Sequence, residues 1–146
     1  MQNKVVTAIA AALCATAAAC GGLSSGDRGP SPSPHTGVLT ASEGQNGRTV
    51  TLHVGDSLAV TLHSTYWTFA GSSNAAVVAP EGTPTVSPSP SGCVPGQGCG
   101  TVTASFDALA VGTAVIGASR ISCGEALACT GAAGSYRLTV EVTSAP

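Results

Sequence analysis

Six cysteines and three histidines are the residues of this 146-residue chain with the most chemistry to offer. Cys93, Cys99, Cys123 and Cys129 form two C-x5-C pairs in the second half. In an exported protein an even set of this kind reads as disulfides. The spacing favours Cys93–Cys99 and Cys123–Cys129, each closing one short loop, worth on the order of 2 kcal/mol apiece. Pairings that join the two loops to each other remain open at this level. A four-cysteine zinc site is disfavoured, because its usual spacing is C-x2–4-C. His35 lies in a Pro/Ser-rich stretch, and His53 and His63 face outward by strand parity, so neither a metal site nor a Ser-His-Asp arrangement is expected. No Gly-rich segment follows a strand and opens a helix, which removes a phosphate cradle. The residues predict no enzyme and no cofactor.

Charge narrows the partners. The formal net charge is −2, with five Lys and Arg against seven Asp and Glu, and the single lysine is Lys4. Nucleic-acid binding needs clustered basic residues, so nucleic acid is excluded as a partner. Lys4 precedes an almost wholly apolar run from Val5 to Ala19, which ends Ala17-Ala18-Ala19 before Cys20-Gly21-Gly22. A charged start, a short apolar stretch and small residues at the cut describe a secretory leader over residues 1–19. The run is shorter than the roughly 20 residues a spanning helix needs. Its small-small-Cys ending resembles a bacterial lipoprotein box, although Ala17 stands where leucine is commonest. The resemblance implies a diacylglycerol on Cys20, cleavage before it, and an anchor on the outer face of the bacterial cell membrane. Residues 20–36 are then a Gly/Ser/Pro tether, and residues 37–146 one domain with room for a core.

The elements that must position the loop cysteines read as β throughout. Thr49 to Val54 and Ser57 to His63 alternate apolar and polar residues around a Gly55-Asp56 turn. A two-residue hairpin there would place His53 beside Leu58, on opposite faces by the pattern. A three-residue connection, with 53 opposite 59, or a crossover between two sheets fits better. Tyr66 to Phe69, Ala75 to Ala79, Thr101 to Asp107, Gly112 to Arg120 and Tyr136 to Val142 supply further strands, and residues 80–92 read as a long Pro/Ser loop. About seven short strands with turns between them predict an all-β, immunoglobulin-like β-sandwich with loop disulfides. Trp67 is expected in its core. Tyr66, its neighbour on the opposite face, is expected to be the more exposed of the two. Arg120 is expected to be solvated or paired with Glu125, and Leu127 to sit at a loop tip.

The order of segments carries a further resemblance. His53 to Leu62, then Tyr66-Trp67, then Gly96-Gln97-Gly98-Cys99-Gly100, then Phe106 to Ile116 with Arg120 behind it, and a closing alternating strand, resemble the chagasin-type inhibitors of cysteine peptidases. The resemblance covers about residues 48–143. It implies that three loops at one end of the sandwich enter the cleft of a papain-like cysteine peptidase. They would carry Thr65, Tyr66 and Trp67; Gly96, Gln97, Gly98 and Gly100; and Arg120. Three departures accompany it. The first loop is short, without Asn-Pro or Gly; the second has Cys99 in place of a glycine; and Arg120 is followed by Ile121-Ser122-Cys123 in place of a proline and an aromatic. The Val111 to Ser119 phrase also resembles bacterial immunoglobulin-like surface repeats. That implies the alternative, a non-inhibitory envelope module that binds another envelope protein or fills a structural role.

Overall fold

The structure is a computed structural model that describes residues 37–89, 91–94, 96–124 and 126–145. The leader over 1–19, the Cys20 lipid site, the tether with His35, and the Arg120–Glu125 pair all fall on or involve residues outside that set.

Among the described residues ten strands run in chain order: β1 (Val38–Ala41), β2 (Thr49–His53), β3 (Ser57–His63), β4 (Thr68–Ser72), β5 (Val78–Pro88), β6 (Gly100–Ala108), β7 (Gly112–Ser119), β8 (Ser122–Gly124), β9 (Leu127–Ala128) and β10 (Ser135–Thr143). Single 3-10 turns occupy Glu43–Gln45 and Gly131–Gly134. One four-stranded sheet is ordered β1-β3-β6-β5 and the other β2-β10-β7-β4, with β8 and β9 forming a small hairpin apart from both. The expected all-β sandwich is the fold observed, with eight strands in its two sheets.

The period-two pattern does the sorting. Leu58, Val60 and Leu62 of β3 and Val102, Ala104 and Phe106 of β6 face Ile116 and Ala118 of β7 and Leu138, Val140 and Val142 of β10, all buried. Phe69 and Phe106 meet with ring centroids 6.4 Å apart. Burying a large aliphatic or aromatic side chain stabilises by about 1.5–3 kcal/mol, so this layer is the main driving force.

Of the two connections expected at Gly55-Asp56, the crossover is the one observed: β2 runs parallel to β10, while β3 pairs with β1 and β6, so Gly55-Asp56 carries the chain between sheets and the three-residue hairpin with 53 opposite 59 does not form. Two further expectations are corrected. Most of the segment expected to be a loop, 80–92, belongs to β5, which pairs with β6 as far as Pro88. Pro80, Pro84 and Pro88 are tolerated because β5 lies at a sheet edge, where a missing N–H costs no inner ladder bond; a register shift between Glu81 and Thr85 bends it. The short strand β1 was not expected at all.

Candidate functional site

Three connections meet at one end of the sandwich. The first, residues 64–67, joins β3 to β4; the second, 89–99, joins β5 to β6; the third, 120–134, joins β7 to β10. They share a pole because His63 at the end of β3 pairs with Thr101 at the start of β6. Ser119 at the end of β7 likewise pairs with both Ser135 and Thr68.

The first two loops continue the β3–β6 ladder. Ser64 N–H donates to the Gly100 carbonyl and Thr65 N–H to the Gly98 carbonyl, each at 2.8 Å. Ser64 holds φ of 119°, in the left-handed region that L residues avoid. Its hydroxyl accepts from Tyr66 N–H at 3.2 Å, which fastens the turn. Gly98 has φ of +63°, and a Cβ there would collide with the Tyr66 ring and come within 2.9 Å of Ser64 Oγ. Gly100, at φ +119°, likewise leaves no room for a Cβ beside the Ser87 carbonyl and Pro88. These two glycines let the loops lie backbone to backbone. Thr65 and Tyr66 are half-buried; Gly96 and Gln97 are exposed.

Trp67 supports the pole from beneath. It is 5% exposed, as expected of a core residue, and its Nε1–H donates to the His63 carbonyl at 3.2 Å. Arg120 ties the third loop to it. Its guanidinium carbon sits 4.6 Å from the Trp67 ring centroid. Its Nε–H donates to Ala133 O at 2.8 Å, and a terminal N–H to His63 O at 3.4 Å. The expected solvated side chain is thus a half-buried cation stacked on an aromatic ring.

The third loop holds the β8–β9 hairpin, whose turn places Ala126 at φ 53°. Disulfides join Cys93 to Cys99 and Cys123 to Cys129, the pairing the spacing favoured. Around them the pole exposes aliphatic groups: Ile121 is 89% exposed, Leu127 61% and Val94 49%. Leu127 is the expected loop-tip residue; Ile121 and Val94 were not singled out, since nothing in the sequence tells an exposed aliphatic from a core one.

Glu43 was also missed. From the first 3-10 turn its carboxylate accepts the His63 backbone N–H and meets His63 Nδ1 at 3.0 Å. Burial pushes the Glu43 carboxyl up, but the hydrogen bonds from His63 and from its own backbone outweigh this and hold it below the usual range. The 20-residue separation hides the pair in the sequence. His53 lies apart from it, 3.6 Å from Asp56. Among the described residues no group of three His, Cys, Asp or Glu is placed to hold a metal ion.

No family model and no curated protein matches the chain. Solved structures do. The crystal structure of the cysteine protease inhibitor EhICP2 from Entamoeba histolytica superposes with a TM-score of 0.52 and 14% identity. The match covers 76% of this chain and all of that one. The solution structure of amebosin aligns with a TM-score of 0.47 and 18% identity, over 72% of this chain and 97% of that one. The chain therefore has the chagasin-like, immunoglobulin-type β-sandwich fold that a cysteine protease inhibitor also uses.

Proposed function

We propose that this protein is an exported, membrane-anchored inhibitor of papain-like cysteine peptidases, acting by binding rather than turnover. A lipid on Cys20 holds it, and the three-loop pole enters the peptidase cleft. The carrying observation is that pole: three loops, two of them bonded backbone to backbone and the third stacked through Arg120 onto Trp67, make one continuous surface. Its setting is a fold shared with a cysteine protease inhibitor. Such a surface loses little entropy on binding. Gly96, Gln97 and Thr65 supply narrow backbone for the cleft, and exposed Ile121 and Leu127 stand where an aromatic anchor is missing.

The third loop favours a second reading. Arg120 is already engaged with Trp67, and a disulfide-closed hairpin replaces the proline and aromatic. Both features suit an envelope module that binds another kind of protein. Titrating the oxidised chain against papain-like peptidases decides between them. Inhibition is expected. Gly98→Ala should weaken it about tenfold or more, some 1.4 kcal/mol, because the new Cβ displaces Tyr66 and with it Thr65. A folded, oxidised chain that leaves these peptidases fully active overturns the inhibitor reading in favour of the envelope module.

A further inference from the structure

We propose that the Cys93–Cys99 disulfide is an exchange site for the catalytic thiolate of the bound peptidase, so that the complex closes as a mixed disulfide. This rests on the inhibitor reading above and adds a covalent step to it.

The two disulfides differ in access. Cys93 is exposed. Cys123 and Cys129 are both half-buried, with the Cys129 N–H bonded to Ile121 O at 2.9 Å and its Cβ against Gly134. The Cys93–Cys99 bridge also belongs to the second loop of the pole. Cys99 lies between Gly98 and Gly100, whose carbonyls accept from Thr65 and Ser64. Cys99 therefore stands in the backbone strip where the first and second loops join. The buried apolar core includes no cysteine, so opening this bridge removes no core side chain.

The partner class supplies the nucleophile. A cysteine peptidase acts through a thiolate, with a pKa of about 3–4 in His-paired examples, and a thiolate attacks disulfide sulfur. In the step proposed, the peptidase thiolate attacks Cys93 Sγ and a new S–S bond forms between the two proteins. The Cys93–Cys99 bond breaks, and its electron pair leaves on Cys99 Sγ, which takes a proton from the peptidase's imidazolium. One disulfide is exchanged for another, so no external oxidant or reductant enters. Docking makes the attack effectively intramolecular. The freed Cys99 can attack Cys93 Sγ in return and release the peptidase, so the seal is reversible.

The test uses the full-length chain, exported by its host so that both bridges form, and a papain-like peptidase activated and then freed of reductant. The mixture is quenched with excess alkylating agent and measured by intact mass under non-reducing conditions. The expected species has the summed mass of both proteins with an alkyl group on Cys99, and dithiothreitol splits it. Peptide mapping should join the peptidase's catalytic cysteine to Cys93. A peptidase with serine at that position should form no adduct, and neither should the Cys93→Ser/Cys99→Ser variant. Inhibition with only separate, unjoined chains overturns the exchange and leaves the inhibitor reading standing. An adduct mapped to Cys123 or Cys129 overturns the assignment. Neither inhibition nor adduct overturns both.

Discussion

The two poles of the sandwich are finished by different chemistry. At the far pole the Asp56 side chain is buried, and its carboxylate accepts Gly37 N–H at 2.9 Å and His53 N–H at 2.8 Å. The neighbouring turn is laced to β6 by Gly55 N–H to Ala108 O and Ala108 N–H to Asp56 O. At the loop pole, by contrast, two disulfides and an arginine–tryptophan stack do most of the fastening, and the carboxylate there, Glu43 on the His63 N–H, is far more exposed than Asp56. Exposed aliphatics do not separate the poles, since Leu109 and Val111 at the far pole are also more than half exposed. The kind of fastening does. A buried carboxylate fixes backbone donors and draws the chain inward. Cross-links fix loops while leaving their side chains free to meet a partner.

Removing the far-pole fastener should have the largest effect. Asp56→Ala strands two backbone donors that now bond a charged group, and such bonds contribute about 1.5–3 kcal/mol each. A loss of about 3 kcal/mol in unfolding free energy at neutral pH is expected, measured by denaturant titration, with the disulfides still formed. The pH dependence follows. The His53 and Gly37 backbone bonds hold the Asp56 carboxyl below its usual range. A lowered folded-state pKa stabilises above the unfolded value, about 4, and that stability is lost as pH falls through the folded one. Glu43 adds in the same direction. Asp56→Asn should flatten the acid limb. If Asp56→Ala unfolds at the parent midpoint, the contrast between the poles is wrong.

Breaking the loop-pole stack should cost less. Arg120→Ala removes a half-buried cation from the Trp67 face and two bonds to carbonyls, an expected loss of about 1–2 kcal/mol. Arg120→Lys should recover little, because an ammonium lacks the flat fork that stacks and bonds at once. Trp67 is the chain's one tryptophan, so its fluorescence reports this site alone. A shift in emission without loss of the far pole's acid limb would sharpen the comparison; unchanged emission would break it.

What the sequence showed and what it hid divide along the same physical line. Alternation in β3, β6, β7 and β10 exposed the sandwich, because one buried face leaves a period of two. The x5 spacing pointed to the disulfides, and the short loops they close came with it. Strand β5 was hidden because Pro80, Pro84 and Pro88 signal a loop unless the strand is known to lie at an edge. Strand β1 was hidden because it is four residues long with only Ala41 buried. At the site, the segments of all three loops were legible, yet what fastens them was not. Glu43 with His63, and Arg120 with Trp67, are long-range pairs that depend on which sheet each strand joins. The crossover at Gly55-Asp56 decides that, and alternation alone leaves it open.

Tyr136 gives the smallest and most discriminating test. It begins the buried face of β10 just below the loop pole, 1% exposed, and its hydroxyl has no hydrogen-bond partner among the described residues. Burial, helped by the Glu43 charge, pushes its pKa up to about 12. The raised value means that its contribution is fully present below pH 10 and is lost as pH climbs through the folded value. An unpaired buried hydroxyl costs about 1–3 kcal/mol, and exchanging it for hydrogen while keeping the ring removes that cost. Tyr136→Phe should therefore raise stability by about 1 kcal/mol at neutral pH and abolish the alkaline loss, measured by thermal unfolding across pH. A Phe variant less stable than the parent would mean that water reaches the hydroxyl through the loops. The loop pole would then be fastened less tightly than its cross-links imply, and the contrast with the carboxylate-sealed pole would be greater still.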